Sequence, residues 1–161
     1  MVRSLVRLLL VAAVAVVAAV PVTASAAGPG GGGGSNNGMT ITVGSPISLQ
    51  SHLLVTVPVT VSCVATISVD PTLTQPGSIG VTVEQASKGS VAVGSGAAEL
   101  DSCSPTPQTF LIQVTPNVGP TNSPPFHGGP AIVSATGGIC DFNFFPQTCA
   151  FGSTPWLTIK L

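Results

Sequence analysis

From Val55 to Val69 the chain reads Val-Thr-Val-Pro-Val-Thr-Val-Ser-Cys-Val-Ala-Thr-Ile-Ser-Val, every odd position apolar and the even ones mostly Thr, Ser or Pro. Successive side chains of a strand point to opposite faces, so this period predicts a half-buried strand. Its inward face carries Val55, Val57, Val59, Val61, Cys63, Ala65, Ile67 and Val69. Fifteen residues in one extended run would reach roughly 50 Å, long for a small domain, which predicts a bend or bulge. Pro58 has no N–H to give to a ladder and is expected on an edge.

Downstream, Asp70-Pro71 and Gln75-Pro76-Gly77 are turn chemistry. Ile79, Val81 and Val83 then alternate with Gly80, Thr82 and Glu84 as a second strand. Lys88-Gly89-Ser90 turns the chain into Val91-Ala92-Val93, and Gly94-Ser95-Gly96 is expected to close that strand. Gln108 to Thr115 mixes parities and is expected to be buried on both faces for part of its length, with Pro116 ending it. Asn117 to Pro130 reads as a long Pro/Gly loop carrying Phe126 and His127, after which Ala131 to Thr136 pairs back. In the last strand, Pro155 to Leu161, Trp156, Thr158 and Lys160 alternate with Leu157, Ile159 and Leu161. Helical periodicity is missing throughout, and short strands at this spacing predict an all-β, antiparallel β-sandwich of about seven or eight strands.

Ahead of these strands lies an address. Arg3 and Arg7 precede an apolar run from Leu8 to Val20, Pro21 ends it, and Ala24-Ser25-Ala26 offers the small residues a signal peptidase requires. This predicts a signal peptide over 1–27, since thirteen apolar residues fall short of the roughly 18 an anchor needs. The glycine-rich stretch 28–38 lacks the Lys and the flanking strand and helix of a phosphate cradle and reads as a linker. Residues 39–161 then make one β-sandwich domain, enough chain for one core. The expected product is secreted, monomeric and free of the membrane once the leader is cut.

Beyond residue 27 the charges are Lys88 and Lys160 against Asp70, Glu84, Glu99, Asp101 and Asp141, a formal net charge of −3. Two lysines without an arginine cannot make the basic face that nucleic acid demands, so that class is excluded. Four cysteines in an exported chain predict two disulfides. Three pairings are open; the nine-residue spacing of Cys140 and Cys149 suits a hairpin and favours 140–149, leaving Cys63 for Cys103.

Catalytic signatures are missing: the chain has no Gly-x-Ser-x-Gly, no His-Glu-x-x-His and no tyrosine. A triad of His127, a serine and Asp141 would have to be assembled by geometry, whereas His127 reads first as a solvated loop residue and His52 as a polar strand cap. Glu99, Asp101 and Asp70 match no calcium loop, the two histidines are too far apart to suggest a ligand pair, and no cofactor is implied. The chain is therefore expected not to be an enzyme.

One stretch has unusual composition. Cys140 to Phe151 holds four of the six phenylalanines: Phe142, Phe144, Phe145 and Phe151. The rings either plug an open end of the sandwich or form a recognition loop, a covalently closed tip presenting Phe142, Phe144, Phe145 and Pro146. Exposure of Phe145 separates the two.

Val59-Thr-Val-Ser-Cys63, Val81-Thr-Val-Glu-Gln85, Cys103, Phe110-Leu-Ile-Gln-Val-Thr-Pro116 and Phe126-His-Gly-Gly-Pro-Ala-Ile-Val-Ser-Ala135 follow one another in an order that resembles small exported immunoglobulin-like proteins of actinobacterial type, over roughly residues 40 to 136. The resemblance implies an immunoglobulin-like sandwich, export, and an early-strand cysteine bonded near the domain's middle, in line with Cys63–Cys103; it implies no activity. The Cys140–Cys149 pair falls outside that pattern. The expected function is a non-catalytic extracellular binding or surface-interaction module for an exported protein or cell-envelope component. The alternatives are a small-molecule carrier with an apolar cleft between the sheets, and a protease inhibitor using the Cys140–Cys149 loop.

Overall fold

A computed structural model describes residues 22–24, 38–69, 75–117, 123–142 and 147–161. The rest of the leader, the linker 28–37 and the Asp70-Pro71 turn lie outside the described residues. Within them the chain is all-β, with strands β1 (Val22–Ala24), β2 (Met39–Val43), β3 (Ser48–Gln50), β4 (Leu54–Cys63), β5 (Ile67–Ser68) and β6 (Gly77–Ser87). The second half supplies β7 (Ser90–Leu100), β8 (Ser102–Cys103), β9 (Gln108–Pro116), β10 (Pro130–Asp141), β11 (Thr148–Ser153) and β12 (Leu157–Lys160).

Antiparallel pairing runs β1-β2-β4-β9-β7-β6-β10-β11, with β3 also on β4 and β12 also on β10. Two strand groups result, joined where β7 meets β9 through Gly94–Pro116 and Ser95–Thr115. At the other margin β11 comes back against β2, so closely that a Cβ on Gly152 would lie 2.6 Å from the Met39 carbonyl oxygen. The result is a nearly closed, barrel-like sheet, open along an upper seam between β12 and the margin formed by β2 and, along Ile41 to Val43, β1.

The alternation written into the sequence fixes which face is interior. Val55, Val57, Val59, Val61 and Cys63 are buried along β4, as are Ile79, Val81 and Val83 along β6, and they meet Ile112, Val114, Val133 and Ala135 in one core. Fully burying a valine or isoleucine stabilises by about 1.5–3 kcal/mol, so a slip of one residue in either strand would forfeit several such terms. The expected bend in the long stretch is real. β4 ends at Cys63, Val64 turns outward, and β5 pairs instead with β8 in a separate two-stranded ladder.

Four expectations change. Pro58 is inside the sheet, opposite Leu111 of β9. Its carbonyl accepts from Gly44 N–H at 2.8 Å, and because a strand residue's N–H and C=O point the same way, its missing N–H faces the break between β2 and β3. Gly94-Ser95-Gly96 does not end a strand, since β7 runs through to Leu100. A Cβ on Gly94 would stand 2.6 Å from the Thr115 carbonyl and from Phe126 Cζ, and one on Gly96 would stand 2.1 Å from the Gln113 carbonyl. These glycines admit a close backbone crossing, which composition alone cannot distinguish from a turn. β9 is buried on one face: Ile112 and Val114 point in, while Leu111 is 71% exposed. β10 continues to Asp141, well past Thr136.

The Lys88-Gly89 turn is as read. With Ser87 opposite Ser90 the loop is two residues long, and Lys88 (φ 32°) and Gly89 (φ 87°) supply the positive φ angles of a primed hairpin turn.

Candidate functional site

Both disulfides form, Cys63–Cys103 and Cys140–Cys149. Both lie at the end of the barrel opposite the Lys88-Gly89 turn. Cys63–Cys103 is buried and ties the end of β4 to β8. Cys140 and Cys149 face each other directly in the β10–β11 ladder, where they clamp the base of the aromatic hairpin.

On the outer face beside this clamp, registers place Ser78, Gly138 and Phe151 in one row across β6, β10 and β11, and Gly80, Thr136 and Ser153 in the next. Gly138 has no side chain, and a Cβ there would stand 2.5 Å from Phe151 Cδ1, so the ring of Phe151 lies over the glycine backbone. Phe142 stands at the rim. Ser78, Gly80, Thr136, Gly138, Phe142 and Phe151, with Pro76, Gly77 and Cys140, line a shallow groove of about 490 Å³, and among the described residues no charged one lines it. Phe142 is 53% and Phe151 56% exposed. Ordinary aromatic side chains bury most of their surface, so two half-bare rings in one recess are a notable exception.

Of the sequence-derived loop residues, Phe142 is thus in the groove, while Phe144, Phe145 and Pro146 lie outside the described residues. Phe151 was not singled out as a contact residue, although it closes the same aromatic segment; only the register, which sets it opposite Gly138, shows that the two belong together.

Among the described residues, Phe126 is a ring that plugs the end of the barrel nearer the Lys88-Gly89 turn. It is fully buried, and its N–H donates to His52 O at 2.9 Å while its own carbonyl lies 2.9 Å from His52 Nδ1. Its neighbour is held by Gln85, whose Oε1 accepts from His127 N–H at 2.9 Å and whose Nε2 donates to His127 O at 2.7 Å. The ring nitrogens of His127 lie 3.1 Å from the carbonyl oxygens of Gly128 and Ala86. The two histidines, read from sequence as a solvated loop residue and a strand cap, therefore work as fasteners of the 123–130 segment. Gln85 continues the inward parity of Ile79, Val81 and Val83, and that parity was the available signal.

A second recess of about 270 Å³ opens at the seam, lined by Val43, Gly44, Ser45 and Ile47 on one wall and by Leu157 to Lys160 on the other. Among the described residues no three of His, Cys, Asp and Glu gather as metal ligands would. Comparison of the chain with protein-family models, with curated proteins and with solved structures finds no match.

Proposed function

We propose that the chain is a secreted, monomeric, non-catalytic binding module whose contact surface is the aromatic groove beside Cys140–Cys149. The observation that carries this reading is the pair of half-exposed rings, Phe142 and Phe151, in one uncharged groove next to a covalent clamp. Bare aromatic area gains most from a partner that removes it from water, and aromatic anchors dominate interface energetics. The clamp and the seating of Phe151 on Gly138 hold the surface before binding, which lowers the ordering cost. The partner is an exported protein or cell-envelope component with a neutral, apolar contact face, because the lining among the described residues is aromatic, small and uncharged. Export is supported by the leader pattern and by two disulfides, which persist in oxidising compartments. An immunoglobulin-like sandwich is supported by the two antiparallel strand groups with their narrow β7–β9 junction.

The test is capture from the culture's exported and envelope fractions on immobilised oxidised protein, comparing wild type, Phe142→Ser/Phe151→Ser and Leu111→Ser on the opposite sheet group. Wild type and Leu111→Ser should retain the same partner and the double variant should lose it. Equal retention by a folded double variant would overturn the assignment.

A further inference from the structure

The seam is bounded by two strand margins whose backbone groups are directed into it. Gly129 and Leu161 exchange both backbone hydrogen bonds, N–H to O at 3.1 and 2.9 Å, and the antiparallel register then alternates along β12. Lys160 and Thr158 therefore turn their N–H and C=O away from β10, toward the seam. On the facing margin, Val64 N–H bonds Gly38 O and Gly44 N–H bonds Pro58 O, so alternation assigns the groups of Thr40 and Thr42 to β4 and those of Ile41 and Val43 to the outer edge. Ile41 and Val43 are themselves buried residues, the setting in which an unpaired amide is most costly. Between the margins lies the apolar recess of about 270 Å³, walled inward by Val43, Ile47, Leu157 and Ile159. All four residues of β12, of both parities, line it, as an edge does and a face does not.

The outer edge of β2 is taken, antiparallel, by β1: Val22 pairs Val43 and Ala24 pairs Ile41. Those residues fall within the stretch that the leader pattern marks for removal. We propose that the outer edge of β2 beside the seam is a strand-acceptor site, covered by the leader segment in the unprocessed chain, which after cleavage accepts an extended, alternately apolar segment of another exported protein by strand addition to β2. Backbone pairing to Ile41 and Val43 provides affinity, and side chains dropping into the recess provide selection. The recess and the aromatic groove share no lining residue, so the acceptor site is tested separately from the groove.

The test uses the protein beginning at Gly28 and, as probe, the seven-residue peptide Val-Pro-Val-Thr-Ala-Ser-Ala that corresponds to residues 20–26. The single tryptophan, Trp156, directly precedes Leu157, the first residue of β12 and part of the recess wall, and serves as the reporter. Expected are a saturable change in its fluorescence and new hydrogen-exchange protection at Ile41 and Val43. A peptide carrying Ala24→Pro, which lacks the donor facing Ile41, should bind about tenfold more weakly or worse. A processed protein that remains folded yet shows neither signal overturns the proposal. So does dimerisation with protection of the same amides, which would make a second copy the occupant, or uptake of decanoate with refusal of the peptide, which would make the recess a small-molecule site. Intact-mass measurement of the exported protein showing residues 22–24 retained would also refute it.

Discussion

Gln85→Leu should unfasten the end of the barrel far from either disulfide. The residue is 1% exposed, and its amide holds both backbone groups of His127 at 2.9 and 2.7 Å. Leucine matches it in size and leaves those two groups without partners. A stranded buried or half-buried polar group costs about 1–3 kcal/mol, and some solvent reaches this segment, so the pair should cost about 2–4 kcal/mol. At about 4 °C per kcal/mol, between the ranges for smaller and larger domains, Tm should fall by about 8–16 °C. Because Phe126 is carried by the same segment, hydrogen exchange at Phe126 and His127 should accelerate more than exchange in β4. Glu84→Gln, one residue earlier and facing outward, is the control and should leave Tm within about 2 °C. A Gln85→Leu protein that melts with wild type would refute the clamp.

Gly96→Ala must push a Cβ to within 2.1 Å of the Gln113 carbonyl, whereas at Gly80 the nearest atom to a new Cβ is 3.7 Å away. Urea midpoints should therefore show Gly96→Ala destabilised by about 3 kcal/mol or more and Gly80→Ala near wild type. Removing the disulfide with sequence separation 40, by Cys63→Ala/Cys103→Ala, should cost about 4 kcal/mol, and removing the one with separation 9 about 2.5 kcal/mol, on the chain-entropy account; a reversed order of Tm losses would reject it.

Legibility in the sequence followed the physics of each signal. Strict alternation identified the interior of β4 and β6, because burial on one face imposes a period of two, and Lys88-Gly89 was readable because a two-residue primed turn demands positive φ. The cysteine pairing was readable from loop lengths. Gly94 and Gly96 misled because glycine serves both turns and close crossings, and the crossing at β7 and β9 brings together residues that are distant in sequence. Leu111 misled because exposed leucines are common and leave no local mark. Of the site, the aromatic segment was visible but its floor was not. The groove depends on Gly138 lying opposite Phe151 and Ser78, a register set jointly by β6, β10 and β11.

The claim that the groove beside Cys140–Cys149 is the contact surface is tested most directly by a photo-crosslinking side chain placed at position 142, with position 111 on the opposite sheet group as control. After irradiation with the exported and envelope fractions, the account predicts one discrete adduct from position 142 and none from position 111. The same adduct from both positions, or one from position 111 alone, would contradict it.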